Sequence, residues 1–204
     1  NLILIYRDRI KKTATKLSLK KIVIFASGSG SSVENIILSF SKTPEIKVSK
    51  VYCNNPDAFV LQRIKKYNVD SLVFNLNELN NDIVLKDLNK VSPDLIVLAG
   101  FLKKIPQNII KSFKNKIINI HPSLLPKHGG KGMFGLNVHK SVIKNNERET
   151  GLTIHHVNTE YDKGSIIFQK TIKVGTDDAN ALAKKVLIEE HKYYPEIIKK
   201  VLYD

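Results

Sequence analysis

An amide and an imidazole stand two positions apart at Asn119-Ile120-His121, followed at once by Pro122-Ser123-Leu124-Leu125-Pro126. The residues before them, Lys116-Ile117-Ile118-Asn119-Ile120, read as a short apolar strand. Pro122 and Pro126 forbid regular pairing beyond it. Residues two apart on a strand share a face, so Asn119 and His121 are expected to address one reacting centre. A carboxamide N–H can steady a developing oxyanion, and an imidazole can move a proton near neutral pH.

A carboxylate that could serve this pair lies downstream, in Asn158-Thr159-Glu160-Tyr161-Asp162-Lys163-Gly164. The segment follows an alternating strand and ends in Gly, so it reads as a loop at a strand end. Asp162 there can hold and charge a histidine brought in by another strand. A lone histidine is usually a satisfied structural residue, and a lone loop aspartate usually forms a turn. The combination points to chemistry. The remaining histidines do not suggest a metal: His121, His128 and His139 lack a coherent ligand spacing. His155 and His156 are adjacent, so on a strand they face opposite ways.

A third chemical feature is Ser27-Gly28-Ser29-Gly30-Ser31-Ser32, between an apolar run and a helical pattern. Glycine allows the positive φ of a tight turn and lets backbone approach a ligand. The helix start then offers free N–H groups and partial positive charge to an anion. The loop lacks the Lys of a Walker motif and the third Gly of a dinucleotide fingerprint.

These sites need a scaffold that brings strand ends together, and the rest of the sequence supplies one. Ile22–Ala26, Val48–Cys53, Ser71–Phe74, Leu95–Ala99 and Ile117–Ile120 read as strands, several of them continuously apolar. Between them, helices are expected over Val33–Phe40, Asp57–Tyr67 and Asn77–Lys90. Thr153–Val157 and Ile166–Val174 are expected to form an antiparallel pair, and Asp178–Val201 a long closing helix. The predicted fold is α/β: a Rossmann-like, mostly parallel sheet with helices on both faces and an antiparallel strand pair at one side. Residues 1–20 form an N-terminal extension, either appended and poorly ordered or carrying an edge strand at Asn1–Tyr6, with a basic stretch from Arg7 to Lys20. Residues 21–204 form a single domain.

Asn-x-His-Pro-Ser-Leu-Leu-Pro with a downstream Asp-x-Gly resembles the folate-dependent formyltransferases. Three more segments match that family in the same order. Phe25–Ser32 resembles its phosphate loop, Leu98–Ile105 its folate-pocket segment, and Glu189-Glu190-His191 before Tyr194-Pro195 its C-terminal helix. The likeness covers roughly residues 21–203. It implies transfer of the formyl group of 10-formyltetrahydrofolate, a co-substrate, to the amine of 5-phosphoribosylglycinamide in de novo purine biosynthesis, without a metal.

By this resemblance Asn119, His121 and Asp162 are catalytic. His121 is the proton donor, Asn119 holds the oxyanion and also meets the folate, and Asp162 raises the basicity of His121. Gly30, Ser31, Ser32 and Glu190 bind the ribonucleotide. Leu102, Lys103, Lys104 and Ile105 line the folate pocket, largely through backbone groups. Two positions depart from the usual pattern: Ser32 stands where the family usually has Asn, and Lys103 where bacterial members often have Arg. No Arg near Asn75–Asn81 is available for the folate glutamate. Lys127–Gly135 looks like a mobile loop over the substrate.

Composition limits the alternatives. The 204 residues are 42% hydrophobic and 25% charged, ordinary for a globular domain. No apolar run reaches the roughly 20 residues of a membrane helix, so no membrane partner is expected. The single Cys53 excludes an intrachain disulfide and fits a reducing, cytoplasmic setting. The net charge of +14 invites a nucleic-acid partner, but the excess is lysine spread along the chain, with only Arg7, Arg9, Arg63 and Arg148 as arginines. That reading is discounted in favour of steering anionic small molecules. A methionyl-tRNA formyltransferase is expected to carry a further C-terminal domain, and a deformylase a regulatory N-terminal one. The sequence is compatible with a monomer or a homodimer.

Overall fold

The computed structural model describes residues 18–204. The strand expected at Asn1–Tyr6 and most of the basic stretch after it lie outside the described residues. One seven-stranded sheet organises the rest, in the order β3-β2-β1-β4-β5-β6-β7. Its strands are β1 (Lys20–Ala26), β2 (Ile46–Cys53), β3 (Asp70–Val73), β4 (Leu95–Leu98), β5 (Ile117–His121), β6 (Glu149–His156) and β7 (Ile166–Lys173). Strands β1 to β5 run parallel. Strand β6 lies antiparallel to both β5 and β7. The fold is therefore the expected Rossmann-like one.

The sheet is covered on both faces because its central strands are apolar on both. Along β1, Ile22, Ile24 and Ala26 enter one core with α1 (Ser31–Phe40), α2 (Phe59–Ile64), α6 (Leu136–Lys144) and α7 (Ala179–Tyr203). Val23 and Phe25 enter the other core with α3 (Leu76–Asn80), α4 (Ile83–Val91) and α5 (Gln107–Ser112). Helix α1 docks through Val33, Ile36, Ile37 and Phe40, the i, i+3, i+4, i+7 stripe of an amphipathic helix. Each such side chain contributes about 1.5–3 kcal/mol when fully buried. Helix α7 starts where the Asp178 carboxylate accepts from the Ala181 N–H at 2.7 Å. It is pinned to the sheet by the Tyr194 hydroxyl, which donates to the Leu98 carbonyl at 2.9 Å.

Three local differences from the sequence pattern have physical causes. The single helix expected over Asn77–Lys90 is two helices, broken at Asp82, whose φ is 61°. Asp is one of the few residues that tolerate this left-handed conformation, and apolar periodicity does not register it. The helix expected at Asp57–Tyr67 shrinks to Phe59–Ile64, closed by a single tight turn over Lys65–Tyr67. The pattern assigns no element to α5 or α6, each of which is short and buries few residues.

Candidate active site

Chain order β1-β2-β3 builds outward in one direction from β1, and β4-β5 in the other. The carboxyl ends of β1 and β4 therefore flank a topological switch point, where ligands sit in open α/β sheets. A cavity of about 680 Å³ opens there. Its walls include Gly28–Ser32 after β1, Ala99–Lys103 after β4, Asn119–Pro122 at the end of β5, Gly130–Leu136, Asp162, and Glu190 of α7. A larger, shallower depression of about 1240 Å³ lies behind Leu124–His128, and none of Asn119, His121 or Asp162 lines it.

Register brings the chemical residues together. Asn119 of β5 stands opposite His155 of β6, and His121 opposite Thr153. Directly opposed residues share a face. The Asn119 Nδ2 donates to His155 Nε2 at 3.1 Å. The other ring nitrogen, Nδ1, donates to the His156 carbonyl at 2.8 Å. Those two bonds fix the His155 tautomer and, through it, the way the Asn119 amide faces. Gly164 allows this approach, since a Cβ there would fall 1.6 Å from the same His156 carbonyl oxygen. Asp162 then bridges the two histidines: Oδ2 lies 3.5 Å from His121 Nδ1 and Oδ1 lies 3.6 Å from His155 Nε2. The Gly130 N–H donates to Asp162 Oδ2 at 2.8 Å. His121 Nε2 donates to the His128 carbonyl at 2.8 Å.

Thr153 secures the turn that follows His121. Its hydroxyl donates to the Ser123 carbonyl at 2.6 Å and accepts from the Leu125 N–H at 3.0 Å. Both bonds are buried, so the prolines of the motif are held without help from a regular ladder.

At the other wall, Gly30 caps α1 with φ 77°, and no side chain caps the helix. A Cβ on Gly30 would lie 2.4 Å from Val60 Cγ2, so only glycine fits. The first-turn N–H groups of α1 have no side-chain cap, a ready anion site. Arg63 braces the loop: its Nε donates to the Ser29 carbonyl at 2.9 Å, and its Nη1 pairs with Glu34. Lys66, Tyr67 and Arg63 together hold the Glu34 carboxyl down to about 2. Ser27 joins this wall to the β4 side, donating to Asn54 at 2.6 Å while accepting from the Leu102 N–H at 3.0 Å.

With that geometry in place, comparison with known proteins decides the family. The family model described as formyl transferase matches residues 20–198. The chain belongs to the formyl transferase family. It is 37% identical over 187 residues to a chloroplastic phosphoribosylglycinamide formyltransferase of Arabidopsis thaliana, covering 88% of this chain and 64% of that protein. The chain thus spans less than two thirds of that plant relative. A Haemophilus influenzae phosphoribosylglycinamide formyltransferase is 34% identical over 188 residues, with 89% of this chain and 86% of the relative covered. Among solved structures, the phosphoribosylglycinamide formyltransferase of Anaplasma phagocytophilum superposes with a TM-score of 0.81 at 33% identity, covering 90% of this chain and 87% of the other.

In this formyl transferase, the site residues expected from sequence divide in two. Asn119, His121, Asp162, Gly30, Ser31, Ser32, Glu190, Leu102 and Lys103 all line the one cavity. Lys104 and Ile105 do not line it. Ile105 is buried in the core on the far face of the sheet, and Lys104 reaches over the Tyr161 ring at 5.8 Å. Ser32 makes a long contact to His191 Nε2, 3.5 Å.

Electrostatics correct one expectation. His121 was expected to be made more basic by Asp162. Burial instead pushes it below the ordinary histidine value, with Asp162 pulling the other way without prevailing. The side chain is only 4% exposed, and the neutral imidazole is the resting form. Asp162 is itself held below the usual carboxylate range, because the two histidines and the Gly130 N–H outweigh its burial. Burial pushes Glu190 up to about 7. Sequence reasoning missed Ser27, Gly130, the His128 carbonyl and His139, which lines the cavity wall. The Gly130 N–H and the His128 carbonyl are backbone groups and carry no sequence signature; Ser27 and His139 had residue types that could have flagged them. Among the described residues no group of three or more His, Cys, Asp or Glu is placed to hold a metal ion, and no helix is long and apolar enough to cross a membrane.

Proposed function

We propose that this chain transfers the formyl group of 10-formyltetrahydrofolate to the amine of 5-phosphoribosylglycinamide. The observation that carries the reading is one cavity with an uncapped, glycine-built anion loop at one end and the Asn119–His155–Asp162–His121 cluster beside it. The ribonucleotide phosphate occupies the Gly30–Ser32 turn. The folate lies along Ala99–Lys103. The relatives named above match 88% to 90% of this chain, and the solved one shares its fold, which favours the same pair of substrates.

The reaction moves one proton from the amine nitrogen to N10 as the formyl carbon changes partner. The free amine attacks the formyl carbon, and the carbonyl oxygen becomes an oxyanion. Asn119, its amide held by His155, donates its remaining N–H to that oxygen. Losing such a donor costs on the order of 10²–10³ in rate. The attacking nitrogen sheds its proton to the Asp162 carboxylate, which passes it to Nδ1 of neutral His121, 3.5 Å away. The imidazolium so formed directs Nδ1–H at Asp162 and gives the Nε2 proton to N10 as the C–N10 bond breaks. For Nε2 to reach N10, the His128 carbonyl must yield its bond, so the Lys127–Gly130 segment shifts on binding. Burial of the only thiol, Cys53, accords with a cytoplasmic setting.

The test is to mix the protein with both substrates and follow tetrahydrofolate release. Turnover that requires both substrates supports the reading. Release without the ribonucleotide would make the protein a hydrolase, and no release at all would remove formyl transfer.

A further inference from the structure

His139 is a buried titratable group for which the steps above have no use. It lies on α6, is 4% exposed, and its Nδ1 has no hydrogen-bond partner. Nearly all buried polar groups are paired, and an unpaired one lowers stability. Helix α6 already has an apolar core face in Val138 and Val142, so packing alone does not call for an imidazole. Its ring lines the same cavity as the Gly30–Ser32 turn, His121 and Glu190. Helix α6 packs on α7, and α7 packs on α1, whose first turn is the anion loop. His139 therefore shares one cavity with the phosphate turn and the reacting centre, the space that the ribosylglycinamide portion has to span.

Its protonation narrows the ligand chemistry. Burial, and then the nearby His121, both disfavour the imidazolium. A neutral ring has one N–H and one lone pair. An orphaned buried N–H is rarer than an unused acceptor, so Nδ1 holds the lone pair and Nε2 the proton. With Nδ1 enclosed, the Nε2–H edge is left to meet a ligand, and it can only donate.

We propose that His139 is a ribonucleotide-binding residue, donating from Nε2 to a hydroxyl or carbonyl oxygen of the ribosylglycinamide portion. The proposal rests on the substrate reading above. The substrate oxygen gives Nε2 a partner that the free protein does not supply, so His139 discriminates the ribonucleotide from ligands lacking that oxygen.

The experiment uses the full chain with His139→Leu and His139→Gln. Wild-type turnover with both substrates comes first and tests the substrate reading by itself. In His139→Leu, KM for the ribonucleotide should rise about 5- to 30-fold, the loss of one buried hydrogen bond, while KM for the folate stays within about twofold. The melting temperature of the free Leu variant should hold or rise, because an unpaired polar group has been removed. Gln, which carries an N–H at a similar reach, should restore most of the affinity. A lower melting temperature with both KM values unchanged would make His139 structural and overturn the proposal. So would a Gln variant no better than Leu. Where the wild type turns over normally, either failure leaves formyl transfer standing.

Discussion

Replacing Asp162 by Asn removes a charge and little else. Asp162 sits at φ 55°, a left-handed position that Asn tolerates. The amide oxygen of Asn can still accept from the Gly130 N–H that now bonds Oδ2. What disappears is a negative charge 3.5 Å from His121 Nδ1. Two unit charges at that separation attract by about 1.2 kcal/mol in bulk water and about 4.7 kcal/mol at an effective dielectric of about 20. The side chains are 4% and 12% exposed, which favours the upper part of that range. Without that attraction the imidazolium is less favoured, and His121 becomes less basic.

The sign follows from the balance already at the site. His121 lies below its ordinary value because burial outweighs Asp162. Removing Asp162 leaves burial opposed only by the hydrogen bond to the His128 carbonyl, so the value falls further. In the proposed reaction, neutral His121 is the form that accepts the amine proton. The rate therefore rises with pH through the His121 pKa, and the acidic limb of the variant moves to lower pH. At saturating substrate the plateau should fall about 10- to 10³-fold, because the imidazolium intermediate has lost its counter-charge. Tetrahydrofolate release measured across pH for both proteins gives the limb and the plateau together. The substrate amine titrates identically in both, so it cancels in the comparison. A limb that stays in place at a full rate, or that moves to higher pH, would refute the assignment of Asp162 as the counter-charge of His121.

Other perturbations separate the remaining roles. His121→Ala should lower turnover about 10²- to 10⁴-fold with a melting temperature within a few degrees of wild type; near-normal turnover in the folded variant would remove His121 from proton transfer. Gly30→Ala should weaken ribonucleotide binding and lower the melting temperature, because its Cβ meets Val60 Cγ2 at 2.4 Å and φ is 77°. Calorimetric titration with the ribonucleotide would expose the error if affinity were kept. Removing residues 1–17 should leave the turnover number unchanged, since every matched motif begins later in the chain; a fall in turnover at constant melting temperature would place that segment in the reaction.

How much of this was legible in the sequence follows from which contacts are local. Asn119 and His121 share a face because strand side chains repeat every two residues, and that needs no knowledge of neighbours. The glycine loop was legible because its turn requires a residue without a Cβ, and Val60 against Gly30 shows why. The parallel sheet was legible because strands buried on both faces are apolar throughout. The break at Asp82 was not, since one left-handed residue leaves the apolar count unchanged. Nor was the depressed basicity of His121: a sequence can name a partner such as Asp162, but only the fold sets how deeply the pair is buried.

The least legible feature is also what assembles the reacting centre. Strand β6 runs against β5 in a register that sets His155 opposite Asn119 and Thr153 opposite His121. One strand thus supplies the imidazole that holds the Asn119 amide and the hydroxyl that clamps the turn after His121. The loop leaving β6 returns Asp162 between both histidines. It can pass that closely because Gly164 has no Cβ to meet the His156 carbonyl. A slip of one residue in the β5–β6 register would turn His155 and Thr153 to the opposite face. Asn119 would then lose the acceptor that fixes its amide. The antiparallel pair is a departure from the parallel sheet, and it positions Asn119 and His121, which the parallel strands alone bring only to the rim of the cavity.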